Sequence, residues 1–356
     1  MSPPDYYDKE KITMRATRYI LYIYIIGIAF LLQGCRKESH PSTPDTKSYA
    51  ISMSPSEVMD GTRALIGDVA DLQDQGFRVY GYKVDKADLK QQVFAGEAVT
   101  YGATNGWEYS PTRYWDRVAD YNFAAYAPAT LIGGMAVANT IAANQTLAFT
   151  HMPHWQEADD AAVDLLVATS QGAATTYLDN AKGFVNLTFD HVYAQLVVRV
   201  VRSASFQNTY KLTSLTYQNV PTADGTATYT LDYTTPAASA WSDVALSAAS
   251  KNAYSNADGE VINSNPEDTP TAKHLVVPFT GSDEIQVTVG YIVNDGLAQT
   301  GTAKTGISQL EAGKRYVLTL SLGSGAVIEP SLDIEQWIEV QDEQDIEVEE
   351  DDKHNW

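Results

Sequence analysis

The sequence predicts an all-β protein of two tandem β-sandwich domains, and three observations carry that reading. Short runs rich in Val, Ile, Tyr and Thr recur along most of the chain, separated by Gly, Asn, Asp or Pro, the pattern of strands joined by turns. Several runs alternate apolar and polar residues with period two, the repeat of a strand with one buried face. Helical periodicity is scarce. With 356 residues, 44% hydrophobic and 19% charged, the chain has enough apolar material for two cores.

The first elements are an address and an anchor. Met1–Thr13 (MSPPDYYDKEKIT) precedes an acceptable start at Met14, and Arg15 and Arg18 then supply a basic n-region. The apolar run Tyr19–Leu32 is too short to span a bilayer comfortably and suits the h-region of a secretory signal. It ends in Leu32-Gln33-Gly34-Cys35, after which the chain turns abruptly polar. A small residue before Cys35, the only cysteine, resembles the lipobox of bacterial lipoproteins. That resemblance implies cleavage before Cys35 and acylation of its thiol and new amino group. Several acyl chains at roughly 0.8 kcal/mol per buried CH₂ hold stably where one is marginal. The alternative is a leftover or buried Cys after an ordinary signal. Residues 1–34 are thus expected to be a signal peptide and 35–48 a linker.

In the mature chain, Tyr49, Ile51 and Met53 alternate with Ala50, Ser52 and Ser54 and predict a first strand, broken at Pro55 and Asp60-Gly61. Further strands are expected at Phe77–Val84, Ala98–Tyr101, Tyr121–Tyr126, Asp164–Ala168, Phe184–Phe189 and Tyr193–Val201. Others follow at Lys211–Tyr217, Thr226–Tyr233, Lys273–Phe279, Ile285–Tyr291 and Tyr316–Leu322. Short helical turns are expected within Glu57–Gln75 and Val137–Asn144. The turn-rich stretch Asp179–Gly183 sets the expected division into domains 49–182 and 183–356.

The chemistry of the side chains points away from catalysis. A formal charge of −21 repels phosphate backbones and excludes nucleic acid as a partner class. One cysteine permits neither an intramolecular disulfide nor a cysteine-based metal site. His151 and His154 offer two imidazoles, but Pro153 prevents the helix that would align them, and zinc needs a further ligand. Asn256-Ala257-Asp258-Gly259-Glu260 has half the look of a calcium loop without its alternating carboxylates; a hydrated surface loop is the simpler reading. No G-x-S-x-G, P-loop or dinucleotide fingerprint occurs. No enzyme, metal or cofactor is expected beyond the lipid on Cys35. His191, between Phe189 and Tyr193, reads as a histidine bonded inside a sheet rather than a base. Trp107, Tyr109, Tyr114, Trp115 and Phe123 read as core anchors, because aromatics bury large areas. Exposure of Trp107, Trp115, Trp155 and Trp241 would instead indicate a glycan-stacking platform.

Several motifs then arrive in one order: Trp107-Glu108-Tyr109, Arg113-Tyr114-Trp115, Tyr121–Pro128 (YNFAAYAP), Asp164–Ala168 (DLLVA), Val185–Leu196 (VNLTFDHVYAQL), Leu310–Tyr316 (LEAGKRY) and Ile334-Glu335-Gln336-Trp337. Together, after a lipoprotein signal, they resemble the fimbrillin family, the type V pilins of Bacteroidales. The resemblance covers nearly the whole mature chain. It implies two transthyretin-like Greek-key sandwiches and a subunit of a surface fimbria that supports adhesion. It also implies cleavage by an Arg-specific or trypsin-like protease after the first strand, and Arg63, followed by Ala64, is the only Arg between Arg36 and Arg78. The plainer reading of Arg63 is a surface arginine in a loop.

At the other end Ile334, Ile338, Val340, Ile346 and Val348 fall on even positions, and Glu335, Glu339, Glu347 and Glu349 on odd ones, with Trp337 the exception. Such alternation describes two extended segments, broken near Asp342–Gln344, each with one apolar face. An isolated strand gains little until it joins a sheet, in its own subunit or another. The expected partners are other fimbrial subunits by strand exchange, outer-membrane lipid before processing, and a host or bacterial surface glycan or protein. Twelve acidic residues against Lys353 alone between Glu329 and Trp356 are unusual for a tight donor strand and make a tip, accessory or anchor subunit the alternative to a stalk. The competing class is a glycan-binding lipoprotein of the outer membrane.

Overall fold

The computed structural model describes residues 49–58, 69–87, 90–104, 106–131, 134–139, 145–157, 162–180, 183–265, 271–323 and 328–336. They belong to one compact unit that begins at Tyr49. Among the described residues, strand dominates, and helix is confined to α1 (Val69–Gln75), α2 (Ala174–Asn180) and one 3₁₀ turn.

The first ten strands are β1 (Ser52–Val58), β2 (Phe77–Val84), β3 (Lys90–Gly102), β4 (Gly106–Glu108), β5 (Asp120–Ala127), β6 (Ala136–Asn139), β7 (Thr146–Pro153), β8 (Trp155–Glu157), β9 (Leu166–Ala173) and β10 (Phe184–His191). Seven of them form one sheet in the order β1-β10-β9-β5-β2-β3-β4. Strand β10 alternates exposed and buried residues without a break, as its sequence predicts, and sends Val185, Leu187 and Phe189 into the first core. There they meet Ile51, Met53, Phe77, Val79, Phe94 and Phe123, with Leu72 of α1. The two central strands are covered on both faces. Phe77 and Val79 of β2 enter the first core while Tyr80 and Tyr82 enter another. That is why FRVYGYKV reads as an almost continuous apolar run.

The remaining strands are β11 (Ala194–Arg202), β12 (Tyr210–Gln218), β13 (Val220–Pro221), β14 (Thr226–Asp232), β15 (Ala240–Ser242), β16 (Leu246–Ser247), β17 (Lys251–Ile262), β18 (Thr271–Val276), β19 (Phe279–Thr280), β20 (Gln286–Val293), β21 (Ala298–Lys304), β22 (Gln309–Leu310), β23 (Lys314–Leu322) and β24 (Ile328–Gln336). The sheets β24-β23-β11-β18-β8 and β17-β12-β20-β21 enclose the second core, in which Leu196, Val198 and Leu318 meet Leu212, Leu215 and Val289. A third core joins strands from both halves of the chain. Strand β7 pairs with β14, and Tyr80, Tyr126 and Phe149 pack in one cluster with Tyr193, Tyr229 and Leu275.

The all-β expectation of packed sheets holds, and several local expectations change. Strand β10 pairs with β1 and β9, so the chain stays in the first sheet until His191. Residues 137–139 of the expected helical stretch Val137–Asn144 belong to strand β6, which pairs with β7. Within Glu57–Gln75, Glu57 and Val58 are strand and the described helix begins at Val69. Pro55 does not end the first strand; β1 passes through it with a bulge between Pro55 and Glu57. Proline is tolerated there because β1 is an edge strand and its missing N–H forfeits no ladder bond on the outer side. The expected strand Ala98–Tyr101 is the end of the longer β3. Gly96, at φ +99°, allows the bulge that Tyr80 packs against; a Cβ there would lie 2.6 Å from the Tyr80 hydroxyl.

Candidate functional site

The first strand sits between two partners. Its leading residues run antiparallel to 113–115: Ala50 bridges Tyr114, the Ile51 N–H donates to the Arg113 carbonyl (2.9 Å), and the Trp115 N–H donates to the Tyr49 carbonyl (3.0 Å). From Ser52 onward it turns to β10. The Ser52 N–H donates to the Gly183 carbonyl (3.1 Å), and a parallel ladder follows from Ser52 opposite Phe184 to Val58 opposite Phe189. Ile51 and Met53 are 1% and 2% exposed in the first core, and Pro55 is buried. Tyr49, expected on the same face, is 39% exposed, with its ring 5.9 Å from the Arg117 guanidinium. At Tyr49 the chain has not yet joined β10, so no sheet covers it.

The floor of this seat is aromatic. Trp115 stacks on Tyr177 (4.8 Å) and meets Tyr121 edge-on (4.7 Å), and its indole N–H donates to the same Gly183 carbonyl (3.2 Å). The Tyr109 hydroxyl donates to the Ile51 carbonyl (2.6 Å) and accepts from the Arg113 N–H (3.2 Å). Burial raises the Tyr109 pKa, which keeps the phenol protonated and a donor. The Arg113 side chain is fixed in turn, donating to the Val93 carbonyl (2.9 Å) and to Glu97 Oε1 (2.9 Å). An open groove of about 770 Å³ lies beside the seat, lined by Ile51, Ser52, Thr100, Trp107 and Tyr109.

The last described strand is differently held. Strand β24 pairs antiparallel with β23, from Lys314 opposite Gln336 to Leu322 opposite Ile328, and forms the edge of its sheet. Its apolar side chains are not sealed: Leu332 is 37% exposed and Ile334 51%. The two border a small cavity of about 220 Å³ with Ile307 and Tyr316. The extended segment therefore begins earlier than the alternation suggested, at Ile328 rather than Ile334. Ile338, Val340, Ile346 and Val348 lie outside the described residues, as do Cys35, Arg63 and Ala64.

The other candidates disperse. Trp115 and Trp155 are buried, and Trp107 and Trp241 are half-buried against the first and third cores. The four indoles therefore do not line up as an exposed platform. Tyr114, expected in the core, is 54% exposed, because its neighbour Trp115 takes the inward direction. His151 is exposed at a left-handed φ of 58°, while His154 is buried with its ring against the Thr222 hydroxyl (3.0 Å) and the Asp243 carbonyl (3.3 Å). Among the described residues, no group of three His, Cys, Asp or Glu is placed to hold a metal ion. Asn256–Gly259 bulge out of the β12–β17 ladder within a strand rather than forming a separate loop. His191 faces Asp164 at 2.8 Å, both buried, a partner the sequence did not identify. Sequence reasoning also missed the roles of Tyr109 and Arg113. An arginine inside an aromatic cluster was the available signal, since a half-buried guanidinium needs acceptors.

A fimbrillin-like family model matches residues 62–337. Among solved structures, the chain is similar to a fimbrial protein from Bacteroides vulgatus, with 16% identity over 81% of this chain and 99% of that one and a TM-score of 0.56. It also aligns with a candidate cell adhesion protein from Bacteroides uniformis (16% identity, 83% and 99% covered, TM-score 0.49). A third alignment is with the tip fimbrial protein Mfa3 from Porphyromonas gingivalis (11% identity, 81% and 100% covered, TM-score 0.37). No curated protein sequence matches it significantly.

Proposed function

The chain belongs to the fimbrillin-like family, and from that premise we propose that it is a non-catalytic fimbrial subunit, exported as a lipoprotein on Cys35 and assembled at the cell surface by strand exchange. Cleavage after Arg63 frees the first strand, whose departure opens a seat lined by the first core. A strand from another subunit then fills the seat. Ladder hydrogen bonds supply affinity and the inward side chains supply register.

One observation carries this reading. The first strand is an edge strand with its inward side chains sunk in the core, whereas the last described strand is an edge strand with Leu332 and Ile334 open to solvent. Removing the first exposes apolar surface and unpaired backbone groups, which recruit another strand. Releasing the last gives up a hairpin ladder, but its described side chains, Pro330 to Ile334, are already exposed. The ladder with a new partner forms only when the old strand leaves, so proteolysis delays polymerisation until export is complete.

The test uses three variants of the full chain. Cys35→Ala should abolish lipid labelling and membrane fractionation. Arg63→Ala should give a folded, lipid-anchored monomer that an Arg-specific protease leaves intact between Arg36 and Arg78. Deleting the residues after Asp333 should leave a protein that accepts a strand and donates none. The reading fails if protease-treated wild-type protein stays monomeric and joins no fimbria in electron micrographs of cell-surface material. If only homopolymerisation fails, the acidic C-terminal segment assigns the chain to a tip or accessory position.

A further inference from the structure

We propose that Tyr109 and Arg113 form a register clamp, which grips the backbone of a single residue in whichever strand occupies the seat. The inference rests on the strand-exchange reading and deepens it, because it names what positions the occupant. In the intact chain the gripped residue is Ile51. Its N–H donates to the Arg113 carbonyl at 2.9 Å, and its carbonyl accepts the Tyr109 hydroxyl at 2.6 Å. Both backbone groups of one residue are therefore held by one short turn.

The clamp is preorganised. The Tyr109 ring packs edge-on against the buried Phe94 (5.1 Å), and its hydroxyl is oriented by the Arg113 N–H. Arg113 is tied to the neighbouring strand β3 through the Val93 carbonyl and Glu97. None of these supports involves the first strand. When that strand leaves, the hydroxyl keeps the Arg113 N–H but loses the acceptor for its own proton, and the Arg113 carbonyl loses the Ile51 N–H. Leaving them so is costly, and an incoming strand relieves that cost only where one of its residues presents N–H and C=O at the Ile51 position. The β10 ladder alone accepts a strand slipped by two residues with the same face inward. A fixed pair of groups at one point breaks that degeneracy.

The experiment has two arms. In the first, amide hydrogen exchange is followed on the uncut full chain. Tyr109→Phe keeps the ring and its packing and removes only the hydroxyl. The amides of residues 49–54 should exchange about tenfold faster, while β2 and β5 keep wild-type rates. Glu97→Gln, which loosens Arg113 from outside the seat, should give a smaller change in the same segment, roughly two- to fivefold. Unchanged exchange in Tyr109→Phe, or acceleration spread evenly over the first sheet, overturns the clamp.

In the second arm, protein cut after Arg63 and cleared of its first strand takes up a synthetic peptide of residues 49–58. Tyr109→Phe should weaken uptake about tenfold, and so should N-methylation of the peptide at Ile51 with wild-type protein. Equal affinity for plain and N-methylated peptide overturns the clamp. A cut protein that takes up no peptide overturns the strand-exchange reading instead, and the first arm still judges the clamp in the intact chain.

Discussion

Ile51→Ala tests whether the first strand behaves as a detachable part. The side chain is 1% exposed and packs in the first core, so truncation removes three buried carbon groups. At about 0.8 kcal/mol each the transfer loss is about 2.4 kcal/mol, and an unfilled cavity raises it into the 2–5 kcal/mol range. An edge strand relaxes more easily than a central one, so a value near 3 kcal/mol is expected, or about a hundredfold in an opening equilibrium. The decisive point is where that loss appears. If β1 undocks as a unit, exchange of amides 51–54 should accelerate about a hundredfold while those of β2, β5 and β9 barely change. Leu187→Ala, in the neighbouring β10 and fully buried in the same core, should instead lower the protection of the whole first sheet. The assay is native-state hydrogen exchange of both variants at neutral pH, read beside their urea midpoints. Loss spread uniformly over the sheet in Ile51→Ala would refute the reasoning, because the strand would then be inseparable from its core.

Two further outcomes are expected. Gly225 lies against the His154 ring, and a Cβ there would sit 2.2 Å from Nδ1 and 2.3 Å from the Thr222 hydroxyl; Gly225→Ala should destabilise the protein by about 1–3 kcal/mol, read as a lowered thermal midpoint. Burial holds the Tyr126 and Tyr229 hydroxyls up at about 12 and pushes those of Tyr193, Tyr217 and Tyr233 higher still. Because the folded pKa exceeds the unfolded value of about 10, this stability is present below pH 10 and is lost as pH rises through the folded values. Urea midpoints should therefore fall steeply above about pH 10, less so in Tyr126→Phe, and an unchanged slope in that variant would rule out its contribution.

Much of the fold was legible because strand period and turn chemistry are local. The inward face of Ile51 and Met53 and the alternation of Phe184–Phe189 follow from residues two apart on one strand, and the burial of Trp115 and Phe123 follows from the large apolar area of their rings. Where local signals misled, a distant neighbour was responsible. Val137 looked helical until β7 paired with it, and Pro55 looked like a terminator because its edge position depends on which strands lie beside it. The site divides in the same way. The two terminal segments announce themselves by alternation, whereas the clamp on Ile51 does not, since Tyr109 and Arg113 lie some sixty residues away in the chain.

The sequence by itself determined the all-β class, the approximate strands and the inward-facing residues of the first one, because these depend on side chains that share a single short segment. Only the tertiary structure decided that the first strand runs parallel to β10, that β10 stays in the first sheet, and that a third core joins the halves. A strand's period says which side is buried but carries no label for the partner. That choice is made when all the apolar faces are covered at once and the backbone groups at the edges find their bonds.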